Sequence, residues 1–136
     1  MNLPFLLRRA FAVTPSTLAA LLLAACAFAV PTEPARFAPL AAGALAPSIF
    51  LAQDAELRLS TGYSRTLPAN SRWRAVGTLP QGTVYQRVDG VFSIEGRHVH
   101  EAYLVVKESA LRGFYLPGEA AFTPLSPSVS LPLGAP

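Results

Sequence analysis

The sequence predicts an all-β fold, a small antiparallel meander that closes into a barrel or a sandwich. From Leu57 onward, short runs of β-branched and aromatic residues are separated by Gly and Pro, a pattern typical of strands linked by tight turns. The connections are too short for the crossovers that parallel strands require. The chain has a single Cys, Cys26, so an intramolecular disulfide is excluded and stability must come from packing.

We assign residues 57–123 to this β domain, with turn chemistry between the strands. The predicted strands are residues 57–66, 72–79, 83–88, 91–94, 98–107 and 111–116. In the segment Leu79–Gly82, Pro80 fixes φ and Gly82 permits a positive φ, as in a type II turn. Asp89-Gly90 and Glu95-Gly96 are further hairpin or bulge sites. These turns favour antiparallel neighbours.

Alternation along the strands predicts which side chains share a face. In residues 98–107, the side chains of His98, His100, Ala102, Leu104 and Val106 fall on one face. Both faces of this strand are partly apolar, as expected for a central strand. In the segment Arg72-Trp73-Arg74 the two guanidinium groups share one face, which predicts Trp73 as a core residue.

The segments on either side of the domain are rich in Pro. Residues 26–56 are predicted to be a Pro/Ala-rich spacer, in which residues 48–57 can form a short helix. Residues 124–136 are predicted to be an extended Pro-rich tail. That tail can still add an edge strand, because Pro is tolerated where the ladder is unpaired.

The N-terminus has the layout of an export signal. Residues 1–9 are basic, residues 10–25 are apolar, and small residues follow. The segment Leu23-Ala24-Ala25-Cys26 resembles the lipobox of bacterial lipoprotein signal peptides. The resemblance implies removal of residues 1–25 and lipidation of Cys26 as the new N-terminus, and Ala27 after the Cys implies sorting to the outer membrane.

Two other fates of this segment remain open at the sequence level. Ala27-Phe28-Ala29 is an A-x-A cleavage site that would release a soluble periplasmic or secreted protein, and residues 10–30 are long enough for an uncleaved anchor. Loss of Arg8 and Arg9 with the signal leaves nine basic and eight acidic side chains. The mature charge is then near neutral, which does not suggest nucleic acid as a partner.

A cationic face is the first candidate site. No acidic residue occurs between Glu56 and Asp89, whereas arginines recur there. The candidate residues for an anion or an acidic protein partner are Arg65, Arg72, Arg74 and Arg87.

His98 and His100 are weak candidates for a transition-metal site, because alternation places both imidazoles on one face. Two ligands do not make a zinc site, and Glu101 falls on the opposite face of a regular strand. We therefore predict no metal and no cofactor. Asp occurs only at positions 54 and 89, and no Ser has the strand-turn-helix setting of a nucleophile, so we predict a protein that is not an enzyme.

Together these features predict a membrane-tethered lipoprotein of the cell envelope that faces the periplasm. It would act as a structural or accessory component and bind an envelope protein partner, with its lipid in the outer membrane. The alternative is a periplasmic binding module or inhibitor that uses the Arg-rich face for an anionic ligand or an acidic protein.

Overall fold

The computed structural model describes residues 28–135, and this part of the chain is built from strands without any helix. The strands are β1 Glu33–Pro34, β2 Ala38–Pro39, β3 Ser48–Phe50, β4 Ala55–Arg58, β5 Ser64–Leu67, β6 Arg72–Leu79, β7 Gly82–Arg87, β8 Ser93–Glu95, β9 Val99–Glu101, β10 Tyr103–Lys107, β11 Ala110–Leu116 and β12 Ala121–Ser130. Within residues 28–135 no helix is available to span a bilayer.

One strongly curled antiparallel sheet forms the body of the molecule. Its strand order is β1-β12-β11-β10-β7-β6-β2, and β3 also pairs with β6. Every pairing is antiparallel, and consecutive strands from β10 to β12 are neighbours, as in a meander. The all-β prediction is confirmed, with the sheet curled into a half-barrel.

The concave face of this sheet carries the main core. Two separate hairpins, β4–β5 and β8–β9, contribute apolar side chains to it. The indole of Trp73 is fully buried and meets the ring of Phe92 edge to face, with 5.6 Å between centroids. The Trp73 Nε1 donates a hydrogen bond to the hydroxyl of Ser71, so the buried indole is satisfied. Trp73 is therefore a core residue, as its position between two arginines predicts.

The convex face carries a second, smaller apolar cluster. Its buried members are Leu79, Val84, Val105, Tyr115 and Phe122. The Phe37 ring covers this cluster by stacking on Tyr115, with 4.6 Å between centroids and 10° between planes. Gly77 makes that cover possible, because a Cβ there would lie 2.5 Å from the Phe37 ring.

Residues 33–39, predicted to belong to a spacer, are part of the sheet. β1 pairs with β12 at one edge, and four residues later β2 pairs with β6 at the other edge. Pro34 and Pro39 interrupt the local pattern, but they occupy edge positions where a missing N–H is tolerated. This short crossing segment thus links the two edges of the curled sheet.

The short helix predicted for residues 48–57 does not form. Residues 48–50 are instead β3, which pairs with β6, and residues 55–58 are β4. Pairing with an exposed sheet edge satisfies backbone groups that a short isolated helix would leave unpaired at its ends.

The predicted tail also joins the sheet. β12 continues to Ser130, which pairs with Ala110, so residues beyond 123 extend the last strand. Further on, Leu51 and Leu133 form an antiparallel bridge, and the amide of Ala52 donates to the carbonyl of Pro132 at 2.7 Å. The C-terminal segment thereby meets the segment that follows β3, and a second link joins the two sides of the sheet.

Two predicted strands are each divided in the structure. Predicted strand 57–66 is the hairpin β4–β5, because the Leu59 amide donates to the Tyr63 carbonyl and closes a turn. Predicted strand 98–107 becomes β9 and β10, with a break at Ala102, whose amide bonds to the Phe92 carbonyl. The other predicted strands lie within one or two residues of their observed bounds, and β6 matches at both ends.

Candidate functional site

Arg72 and Arg74 lie together on the convex face of β6. Both are exposed, and they alternate with the buried Trp73 and Ala75. Directly opposed residues of antiparallel strands project to the same face, so Arg72 shares its face with Phe50 of β3. On its other side, the Val88 amide donates to the Arg72 carbonyl at 3.0 Å. A groove here is lined by Ser48, Ile49, Phe50, Arg72 and Val88.

Arg87 lies on the opposite face, because β6 contains a bulge. The register of β6 and β7 shifts between Ala75 and Gly77, so that Arg87 opposes Trp73. With the register of the turn end continued, Arg87 would oppose Arg74, and the two side chains would share one face of the sheet. The extra residue, Val76, therefore separates Arg87 from the other two arginines.

Arg87 also has its own carboxylate partner. Its Nε donates a hydrogen bond to Asp89 Oδ1 at 3.1 Å. This bond lowers the pKa of Asp89, and a backbone hydrogen bond and the positive charges of Arg87 and Arg72 act in the same direction. Asp89 thus reduces the positive potential at the end of the groove that Arg72 lines.

Arg65 is tied to the concave side. It opposes Leu57 in the β4–β5 hairpin, and its guanidinium carbon lies 5.1 Å from the centroid of the Phe92 ring. Arg65 Nη1 pairs with Glu95 Oε1 at 3.7 Å, while its buried Nε has no hydrogen-bond partner in the described structure. This arginine links two hairpins over the core.

The predicted cationic set is therefore divided. Arg72 and Arg74 remain as an exposed pair on the convex face, and among residues 28–135 neither forms an ion pair. Arg65 and Arg87 are each engaged by a carboxylate. The sequence predicts the alternation on β6, and Gly77 within the strand indicates a bulge, but the separation of Arg87 from Arg72 and Arg74 depends on the pairing with β7.

His98 and His100 do approach each other, as alternation predicts, with 6.5 Å between ring centroids. His100 opposes the buried Ile94, and its Nδ1 lies 2.6 Å from Glu119 Oε1 in the β11–β12 turn. Among the described residues, no group of three or more His, Cys, Asp and Glu side chains could hold a metal ion. The arrangement is a hydrogen-bonded pair that joins β9 to the β11–β12 turn, with the exposed His98 beside it.

The surface around the tip of the β8–β9 hairpin was not anticipated from the sequence. Phe28 and Val99 are exposed over 73% and 70% of their surfaces, and both belong to this region. The Arg97 amide donates to the Phe28 carbonyl at 3.1 Å, which holds the start of the described chain against the hairpin. The signal that could have revealed it is the apolar Val99 between two histidines.

Cys26, the predicted lipidation site, lies outside the described residues. Comparison of the chain with protein-family models, with curated proteins and with solved structures gives no match.

Proposed function

We propose that this protein is a non-enzymatic lipoprotein of the cell envelope, tethered through Cys26 and acting as a structural or accessory component of an envelope assembly. The observation that carries the proposal is the segment Leu23-Ala24-Ala25-Cys26 after a basic and an apolar stretch. The lipid would lie in the outer membrane, with the β domain facing the periplasm.

The convex face supports the accessory role. Arg72 and Arg74 are exposed beside the groove that Phe50 and Val88 line, which combines charge with apolar area. Interfaces are enriched in Arg and aromatic residues, and a groove of this kind suits an acidic protein partner.

Lipidation is tested by intact mass and metabolic labelling with a fatty acid. The wild-type chain should lose residues 1–25 and carry acyl chains, whereas Cys26→Ser should be neither labelled nor cut at that point. A wild-type chain that begins at Val30 and carries no acyl chain contradicts the proposal and indicates a soluble exported protein.

The partner surface is tested by pull-down from detergent-solubilised envelopes. Arg72→Gln with Arg74→Gln should lose a stoichiometric partner that the wild type retains. Arg58→Gln, at an exposed position on β4, is the matched control and should retain it. Equal recovery of the partner with the double variant and with Arg58→Gln would contradict a role of the convex face in partner binding.

The second candidate, a binding module for anionic ligands, is favoured by the same exposed arginine pair. It predicts a monomer without partners that binds polyanions, with affinity that falls steeply as salt increases. The double variant at Arg72 and Arg74 should abolish that binding. Stoichiometric co-purification of an envelope protein would instead favour the first candidate.

A further inference from the structure

We propose that the tip of the β8–β9 hairpin lies directly against the phospholipid bilayer. The surface consists of Phe28, Tyr63, Arg97 and Val99, here called the hairpin surface. This inference rests on the proposed lipidation of Cys26 and specifies which side of the domain faces the membrane. In this arrangement the domain lies close to the bilayer and not at the end of the predicted extended spacer.

The tether between Cys26 and the described part of the domain is short. Only Ala27 separates Cys26 from Phe28, so the lipidated residue can lie no further than about 7 Å from Phe28 along the chain. Phe28 is itself held by the hydrogen bond from the Arg97 amide. An acylated Cys26 must therefore place its lipid beside the hairpin tip.

Packing fixes residues 28–30 against the β8–β9 hairpin. Val30 packs against the main core, and a Cβ at Gly96 would lie 2.8 Å from Val30 Cγ2 and 2.9 Å from the Phe28 carbonyl oxygen. The absence of a side chain at Gly96 thus lets residues 28–30 lie on the hairpin. The attachment point is part of the folded domain.

The hairpin surface combines apolar side chains with a cation. Phe28 and Val99 are largely exposed, and the β4–β5 turn, which carries Tyr63, is tied to this end because Thr61 Oγ1 donates to the Glu95 carbonyl at 2.8 Å. Exposed Arg97 lies two residues before Val99, and its amide donates to the Phe28 carbonyl. Aromatic and aliphatic side chains with an adjacent cation suit the interface of a phospholipid bilayer.

Two acidic groups, Glu95 and Glu101, lie near this surface. Glu95 lies at the end of β8 and pairs with Arg65 at 3.7 Å, so its charge is partly compensated. Glu101 shares the exposed face of β9 with Val99 but lies two residues further from the hairpin tip. Exposed apolar groups face water at a cost, whereas an exposed arginine does not. Contact with the bilayer removes the apolar groups from water at the acyl boundary and places Arg97 among anionic headgroups.

The orientation is tested with the full chain, lipidated and reconstituted into vesicles of phosphatidylethanolamine and phosphatidylglycerol. Acylation blocks the sole native thiol, so Val99→Cys carries one free thiol for an environment-sensitive fluorophore. Leu45→Cys, at a 98% exposed apolar position in the β2–β3 connection, is the matched control. Arg97→Cys provides a second position on the hairpin surface.

The expected result is a blue shift of the emission at positions 97 and 99, with strong loss of intensity when the lipids carry a nitroxide near the headgroup. Position 45 should show neither change. Equal emission and quenching at all three positions of an acylated protein would overturn the inference. Intact mass, measured on the same samples, separates this outcome from absence of the lipid, which would contradict the proposed function instead.

Discussion

The two apolar faces of the curled sheet are covered in different ways. The concave face is covered mainly by the hairpins β4–β5 and β8–β9, which lie in the predicted β domain apart from Ala55 and Glu56. Leu51 from the predicted spacer and Leu131 from the predicted tail add to the same core. The convex face is covered by residues 35–37, from a segment whose prolines predict a spacer. The difference shows that a Pro-rich segment can complete a small domain when its residues pair only at the edges of the sheet and pack on a single apolar cluster.

The packing of residues 28–40 limits the length of the tether between the lipid and the domain. Because residues 28–40 contact both the hairpin tip and the convex face, they cannot also serve as a long flexible link. A lipid at Cys26 would then hold the domain close to the bilayer. The concave core should dominate stability, and the convex cluster should contribute a smaller but measurable part.

The largest effect is expected for Trp73→Ala on the concave side. The indole is fully buried, so its loss leaves a cavity and an unpaired Ser71 hydroxyl. We expect the free energy of unfolding to fall by about 4 kcal/mol, measured by urea denaturation followed by circular dichroism. Trp73→Phe, which retains an aromatic ring, should lose less, and a loss below about 1 kcal/mol for Trp73→Ala would contradict the placement of the core.

A smaller loss is expected for Phe37→Ala on the convex side. The ring is half-buried and stacks on Tyr115, so its removal uncovers the second cluster. We expect a loss of about 2 kcal/mol in the same measurement. Leu45→Ala removes a fully solvated side chain and should change stability by less than about 0.5 kcal/mol. Equal, negligible effects of both variants would mean that residues 33–39 do not cover the sheet.

A gain in stability is expected in the β10–β11 turn, away from both clusters. Glu108 and Ser109 have φ values of 54° and 60°, in the left-handed region that favours Asn and Gly. Glu108→Asn with Ser109→Gly should raise the free energy of unfolding by about 1 kcal/mol. Ser128→Gly, an exposed position within β12, should not raise it, and a loss in the turn variant would contradict this backbone geometry.

The smallest effect separates the two classes of arginine. Arg65→Met removes a cation over Phe92 and a partly exposed ion pair, so we expect a loss of about 0.5 to 1 kcal/mol. Arg74→Met, on the convex surface, should be within about 0.5 kcal/mol of the wild type. Similar losses for both variants would indicate that Arg65 has no structural role distinct from a surface arginine.

Much of the sheet could be predicted from local pattern. Alternation predicts that β6 begins at Arg72, and the Pro80 turn predicts that it ends at Leu79. The position of Trp73 between two arginines predicts that its side chain is buried. These features depend on residues that are adjacent in the chain, so the two-residue alternation of side chains and the turn residues predict them. The antiparallel arrangement follows from the short connections.

The features that the sequence does not predict depend on contacts between residues far apart in the chain. Nothing local to Pro34 or Pro39 indicates an edge partner more than thirty residues away. The β10–β11 turn has Glu108 and Ser109 in the left-handed region, where Asn or Gly would be the usual turn signal. Gly77, an isolated Gly within a strand, does indicate a bulge, but its effect on Arg87 depends on the pairing of β6 with β7.

The integration of the N-terminal segment into the domain is tested most directly by hydrogen exchange of residues 28–40. The amides of Ala35 and Leu40 donate to the carbonyls of Ala120 and Val76, at 3.2 and 3.0 Å. We expect these two amides to exchange far more slowly than those of an unstructured chain, in a native-state measurement resolved by residue. Exchange of both amides at the unstructured rate would show that the segment is a free spacer and would contradict the close attachment to the membrane.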